Sequence, residues 1–348
     1  MRSGRAGALA AALLLFAGPV ARGQQASPSP SPSPSPSPSQ GERHQTAQLM
    51  KLVDDVLWQL TLQDVAAVDK VTFTSKPARM QNPTAPGAGV PMIIPAYVFT
   101  PKKLRPGAKA PLLVYVHGGI HDNFSTGLAS LGFPSGGVHI VRELMDEGYV
   151  VIAPEYRGST GYGQSFYDQI DYGGAEIDDS YAARNWAVEN LPQVDADRVG
   201  IIGWSHGGYH ALFNVLNWPK AYKACYAGVP VSDLVQRMGY KGEGYRDMFA
   251  GFIGKQAVDN PAEYRKRSPV NHVSTLETPL LVHANTNDED VNVMEVEHLI
   301  EALKAAGKKF EYKIYQDAPG GHAFNRLDTP LAKESRREIY QFLARYLK

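Results

Sequence analysis

Gly203-Trp204-Ser205-His206-Gly207-Gly208 decides how this chain is read. It has the form G-x-S-x-G-G. The apolar, partly β-branched run Val199-Gly200-Ile201-Ile202 before it predicts a strand, and Tyr209 to Asn217 after it predicts a helix. A G-x-S-x-G between a strand and a helix is the setting of a nucleophile elbow. Such a sharp turn crowds backbone against the serine, and glycines at 203 and 207 remove the Cβ atoms that would clash. Ser205 Oγ is then lifted above the C-terminal edge of a sheet, with the His206 N–H aimed at the same space. A serine hydroxyl is a poor nucleophile alone, so the chain must also supply a base, an orienting acid and a second oxyanion donor.

On either side of the elbow, short apolar runs alternate with amphipathic ones. Strands are predicted at Val71 to Ser75, Ala96 to Phe99, Leu112 to Val116, Val150 to Ala153, Leu280 to Ala284 and Phe310 to Tyr315. Helices are predicted at Ile177 to Leu191, Glu295 to Ala306 and Ala332 to Leu347. Another is carried by Val138, Val141, Leu144 and Met145, with a stop at Gly148. Strands apolar on both faces and separated by helices form a mainly parallel sheet covered on both sides, an α/β fold. Leu234 to Arg267 interrupts the alternation and is read as a lid. No internal repeat and no block suited to a propeller is present.

The N-terminal part has a different character. Residues 1–23 have the form of a signal peptide: Arg2 and Arg5, an apolar Ala8 to Ala17, and small residues at Ala21 and Gly23. Residues 24–44 contain the alternating Ser-Pro tract Ser27 to Ser39, which cannot build a core and reads as an extended spacer. A secreted or periplasmic protein is expected, with the folded domain spanning 45–348. That domain opens on a helix whose packed face would be Leu49, Leu52, Val53, Val56, Leu57 and Leu60.

Charge and cysteine content narrow the function. Lys+Arg and Asp+Glu both count 35, so nothing attracts the chain to nucleic acid or an anionic membrane. The one cysteine, Cys225, lies in an apolar run and is expected to be a buried, inert thiol. His206 and His210 are four residues apart, a zinc-compatible spacing, but no Glu follows His206 and two glycines intervene. No metal is expected there, and none at His117 and His121, which suit a structural loop. His283 is read as a core histidine. Glu176, Asp178 and Asp179 are read as a solvated or capping helix start, with Arg157 pairing one such acid.

Two late segments complete a catalytic set. Asn285 to Val291 follows a predicted strand and offers three acids, Asp288, Glu289 and Asp290. Pro319-Gly320-Gly321-His322-Ala323-Phe324 places a histidine on a glycine-rich loop after another. Serine, acid, histidine is the order of α/β-hydrolases, unlike that of the chymotrypsin or subtilisin types.

The segment from about Ala110 to Lys348 resembles the catalytic domain of the prolyl oligopeptidase family of serine peptidases. The matching stretches are His117-Gly118-Gly119, Tyr156 to Gly163, the elbow, Ser268-Pro269, the D-x-x-V of Asp288 to Val291, and Gly320 to Phe324. Ala284 stands where that family usually has glycine. The resemblance implies an α/β-hydrolase fold and selects Asp288 as the triad acid. It makes Ser205 the nucleophile and His322 the base, with Asp288 holding its tautomer and no cofactor required. The oxyanion would take the His206 N–H and one from the Gly118 or Gly119 backbone. The resemblance also places Val231, Leu234, Asp290 and Val291 around a substrate pocket, with Leu234 where an aromatic is usual in the family's dipeptidyl peptidases. A small peptide is the expected substrate. A carboxylesterase acting on acyl or aromatic esters is the alternative, because the same triad serves both. A catalytically dead binding protein on this fold is the reading outside enzymes, against which the intact triad speaks.

Overall fold

The computed structural model describes residues 38–79, 89–127 and 137–348. The expected signal segment and residues 24–37 of the spacer lie outside the described residues, and the end of the expected spacer, 40–44, is helical. Ser39–Lys348 forms one compact unit. Its first helix, Gln40–Leu62, begins five residues before the expected start at 45. The reason is local. Ser39 Oγ accepts the Glu42 N–H and the Glu42 carboxylate accepts the Ser39 N–H, a capping box that satisfies two otherwise orphaned donors.

Among the described residues, eight strands form a single sheet: β1 (Ala66–Pro77), β2 (Pro91–Pro101), β3 (Ala110–Val116), β4 (Val150–Pro154), β5 (Val194–Trp204), β6 (Ala224–Gly228), β7 (Leu280–Asn285) and β8 (Glu311–Tyr315). Their spatial order is β1-β2-β4-β3-β5-β6-β7-β8. The β1–β2 and β2–β4 pairs are antiparallel, and every pair from β4–β3 to β7–β8 is parallel. β3, β4 and β6 are buried along their whole length, as expected for central strands covered by helices on both faces. β6 is the Cys225 run, which sequence reading had not assigned to the sheet. Burial pushes the Cys225 thiol well above its usual range, which suits an inert role.

The first helix corrects one expectation. Leu49, Leu52, Val53, Val56 and Leu60 are exposed, and the buried residues are Lys51, Asp54, Trp58 and Leu62. Trp58 packs on Phe99 and Phe124. Lys51 pairs with the buried Glu155 at the end of β4 and donates to the Phe124 carbonyl at 2.7 Å. Asp54 accepts the Thr126 N–H at 3.0 Å. The helix is thus docked through an indole and two buried charges, each with a partner. Among the described residues, no helix is long and apolar enough to cross a membrane.

The lid segment contains three short helices, Leu234–Tyr240, Glu243–Ile253 and Pro261–Lys266.

Candidate active site

The C-terminal ends of β3, β5, β7 and β8 open on one cavity edge, where open α/β sheets place their ligands. Ser205 follows β5 with φ 59° and ψ −121°, a left-handed conformation rare for a residue with a Cβ. Strain of this kind costs on the order of 1–3 kcal/mol and persists only when the surroundings impose it. The two flanking glycines show how they do so. A Cβ at Gly203 would lie 2.2 Å from the Gly207 carbonyl oxygen, and one at Gly207 would lie 2.1 Å from the Val116 oxygen. The Ser205 N–H is engaged with the Gly228 carbonyl at 2.9 Å, so it is not an oxyanion donor. The His206 N–H is in the first turn of the helix His206–Asn217, where amides lack intrahelical acceptors. Gly118 sits against the serine: a Cβ there would fall 3.4 Å from Ser205 Cβ.

Asp288, after β7, is buried. Its Oδ1 accepts the N–H groups of Asp290 and Val291, both at 2.9 Å, and its Oδ2 lies 2.7 Å from His322 Nδ1. Two backbone donors thus aim the second oxygen at the ring. Neither Glu289 nor Asp290 occupies that place. Asp290 is half-exposed and turned toward the lid, with Oδ1 at 3.1 Å from Arg237 Nη2 and 2.9 Å from Lys241 Nζ. Burial disfavours its charged form, but Arg237 and Lys241 outweigh that and hold its carboxyl below the usual range. Its Oδ2 is 3.6 Å from His322 Nε2.

His322 lies in a short 3-10 turn, Gly321–Ala323, after β8. Ser205, His322, Gly118, Gly119 and Asp290 share the lining of a cavity of about 260 Å³ with Trp204, Tyr115 and Arg326. No hydrogen bond joins Ser205 Oγ to the His322 ring; such contacts often tighten only when substrate binds. Val231, Leu234 and Val291 are not part of that lining. They are buried, and the Val291 N–H is spent on Asp288.

The loop after His322 is tied to the elbow by a contact that sequence reading missed. Trp204 Nε1 donates to Asn325 Oδ1 at 3.0 Å, and Asn325 Nδ2 donates to the Tyr226 hydroxyl at 2.8 Å. Trp204, just before Ser205, and Asn325, the third residue after His322, are therefore pinned together. G-W-S and H-x-x-N carry no sign of this pairing when read separately.

Behind the elbow, the solvated reading of two acids is overturned, while Glu176 keeps the capping one by accepting the Gly173 N–H at the start of its helix. Glu176 and Asp179 are not solvated but fully buried. Asp179 receives Arg157 at 2.8 Å, the pairing foreseen for that arginine. Glu176 Oε1 lies 3.3 Å from His206 Nε2 and 3.9 Å from His210 Nε2, and the two Nε2 atoms are 3.3 Å apart. Among the described residues, this is the one group whose His and acid ligand atoms converge closely enough to hold a cation. The acid missing from the sequence pattern comes from the preceding helix, Ala175–Asn190. The atoms also serve one another without a cation. Gly173 donates to Glu176 Oε1 at 2.8 Å, and Ser180 Oγ is 2.8 Å from His210 Nδ1. Burial raises the Glu176 carboxyl far above its usual range and lowers both imidazoles, which favours a neutral network.

The other histidines take the roles expected of them. His117 Nε2 is 3.0 Å from Ser159 Oγ and 3.4 Å from Glu155, and His121 Nδ1 is 2.8 Å from the Gly158 carbonyl. His283 is buried, and burial lowers it to about 4.

A mainly parallel eight-stranded sheet, with the serine on an elbow after β5 and the histidine on the loop after β8, defines an α/β-hydrolase. Within that class the chain belongs to the prolyl oligopeptidase family of serine peptidases, which it matches over residues 138–348. It is 27% identical over 259 residues to the uncharacterized peptidase YuxL of Bacillus subtilis (strain 168), covering 74% of this chain and 37% of that protein. It is 28% identical over 228 residues to human dipeptidyl peptidase 8, covering 63% of this chain and 24% of that protein. The fold is similar to that of the Pyrococcus horikoshii acylaminoacyl peptidase, with a TM-score of 0.65 at 21% identity over 83% of this chain and 43% of that one. The chain thus spans less than half the length of each of these proteins.

Proposed function

We propose that this protein is an exported serine peptidase that cleaves small peptides through an acyl-enzyme. Ser205 is the nucleophile, His322 the general base and then general acid, and Asp288 the group that orients the ring. The observation that carries this reading is the Asp288–His322 contact of 2.7 Å, with Ser205 facing the same cavity. With Nδ1–H committed to Asp288, the lone pair is left on Nε2, the atom that must take the serine proton. As Oγ attacks the carbonyl, negative charge develops on its oxygen beside the His206 N–H and the Gly118–Gly119 backbone. Fixed donors at that point act without reorganising, and each is worth about 3–4 kcal/mol in related sites. The imidazolium then protonates the leaving nitrogen, and water repeats the sequence on the acyl-enzyme.

The test is labelling with a fluorophosphonate, followed by kinetics on paired aminoacyl-arylamides and p-nitrophenyl esters. Modification at Ser205 with turnover of the arylamides is the expected result. A label on another residue would remove Ser205 from its role, and turnover of esters alone would make the protein an esterase. Sequencing the N-terminus of protein recovered from the native host tests export, with cleavage expected near Gly23.

A further inference from the structure

The cavity beside Ser205 holds a guanidinium that, among the described residues, forms no direct ion pair, although the charges of Asp288 and Asp122 act on it from a distance. Arg326, four residues after His322, lines it together with Ser205, His322 and Trp204. Its Nη2 donates to the His322 carbonyl at 2.8 Å, and its Nε is buried without a hydrogen-bond partner. Among the described residues, no carboxylate forms an ion pair with it. The fully buried arginines behave differently. Arg157 pairs with Asp179, Arg237 with Asp290 and Glu295, and Arg336 with Glu143. Arg326 is only partly buried, so its guanidinium reaches the cavity while its Nε–H goes unspent, and an incoming anion supplies the charge partner it lacks. The planar fork of an arginine matches a carboxylate in particular.

The acids nearby do not fill this role. Asp290 lines the same cavity, but Arg237 and Lys241 hold its Oδ1. Asp122 also lines it, and its Oδ1 accepts the Asn123 N–H at 2.9 Å. The position of Arg326 indicates which end of a substrate it meets. His322 hands its proton to the leaving group, so the wall next to His322 is the side on which that group departs. The cavity, at about 260 Å³, lies just below the roughly 300–1,000 Å³ of ordinary small-molecule sites, which suits a leaving group of about one or two residues.

We propose that Arg326 anchors the free C-terminal carboxylate of short peptides cleaved about one or two residues from that end. The assignment of the leaving-group side rests on the peptidase reading above; the anion site itself does not. The test therefore measures binding. The full-length Ser205→Ala protein is titrated calorimetrically with a series of N-acetylated tripeptides, each as free acid and as C-terminal amide. The acid should bind about tenfold or more tightly than its amide, as a charge-assisted pair implies. Adding Arg326→Gln should bring the ratio to about one, while Arg326→Lys should keep part of it. Melting temperatures of both variants separate loss of the anchor from loss of the fold, which a structural role through the His322 carbonyl would cause. Equal binding of acids and amides, no binding across the series, or a ratio that survives Arg326→Gln would each overturn the proposal. Failure of the peptidase reading would appear instead as unlabelled Ser205 or inert arylamides, with the acid-to-amide ratio intact.

Discussion

The elbow at Gly203–Gly208 and the helix Gln40–Leu62 respond to sequence in opposite ways. At the elbow, covalent geometry leaves few solutions. A Cβ at Gly203 would fall 2.2 Å from the carbonyl oxygen of Gly207, four residues on, and Ser205 is forced to positive φ. On the helix, an apolar stripe at helical spacing faces solvent while Lys51 and Asp54 are buried. Steric exclusion is a local property that a motif can encode. Which face of a helix docks depends on what it meets, here Glu155, Thr126 and an aromatic cluster far away in sequence. The predictions that follow probe this contrast, from the largest expected effect to the smallest.

At the elbow and its partner loops the loss should be chemical and not structural. Ser205→Ala is expected to lower kcat by about 10⁶ and Asp288→Asn by about 10⁴, each with little change in melting temperature. Glu289→Gln should be nearly silent. Asp290→Asn should act mainly on KM. Kinetics of the four variants on one ester decide the matter, and a dead Asp290→Asn beside an active Asp288→Asn would move the acid two residues along.

At the helix the loss should be structural. Lys51→Ala leaves Glu155 charged and buried, a change that typically costs about 3–5 kcal/mol. Although burial by itself would raise the Glu155 carboxyl, Lys51 and His117 draw it down to about 2, which marks it as ionised in the folded protein. Denaturant unfolding should show this destabilisation. An unchanged midpoint would mean that the helix is not docked through its charges.

A third measurement concerns pH. His283 has a folded value of about 4 against 6.5 when unfolded, so the unfolded chain binds the proton more readily between these limits. Its contribution is complete above pH 6.5 and is lost as pH falls toward 4. At 1.36 kcal/mol for each pKa unit the loss reaches about 3 kcal/mol. The pH dependence of the melting temperature should flatten over that window in His283→Gln. A slope identical to that of the parent protein would place the titration elsewhere.

The smallest effects are expected from the exposed stripe and the buried histidine pair. Leu52→Gln and Val56→Thr should each change stability by no more than about 0.5 kcal/mol, as surface substitutions do. A loss above 2 kcal/mol from either would show that this face is covered in solution. Treatment with a chelator should leave turnover unchanged. Inactivation reversed by added zinc would make Glu176, His206 and His210 a metal centre.

What the sequence determined by itself was whatever a short stretch of chain can dictate. The strand–elbow–helix unit and the alternation that builds a parallel sheet follow from local periodicity and steric exclusion, and the serine–acid–histidine order is read directly along the chain. The start of the first helix is also legible, because Ser39-Gln40-Gly41-Glu42 is a capping-box signature, although the Ser-Pro tract that runs into it masks the signal. Tertiary structure alone decided the rest. It set Asp288 against His322 and turned Asp290 toward Arg237 by the direction in which each side chain leaves a turn. It brought Glu176 against His206 and His210, Asn325 against Trp204, and Arg326 to the cavity wall. Each of these is a polar group whose free energy depends on a partner supplied by another element of the fold. A hydrophobic period records only that a residue is buried; a hydrogen bond or an unpaired charge takes its meaning from the atom it faces, and only the packed chain supplies that atom.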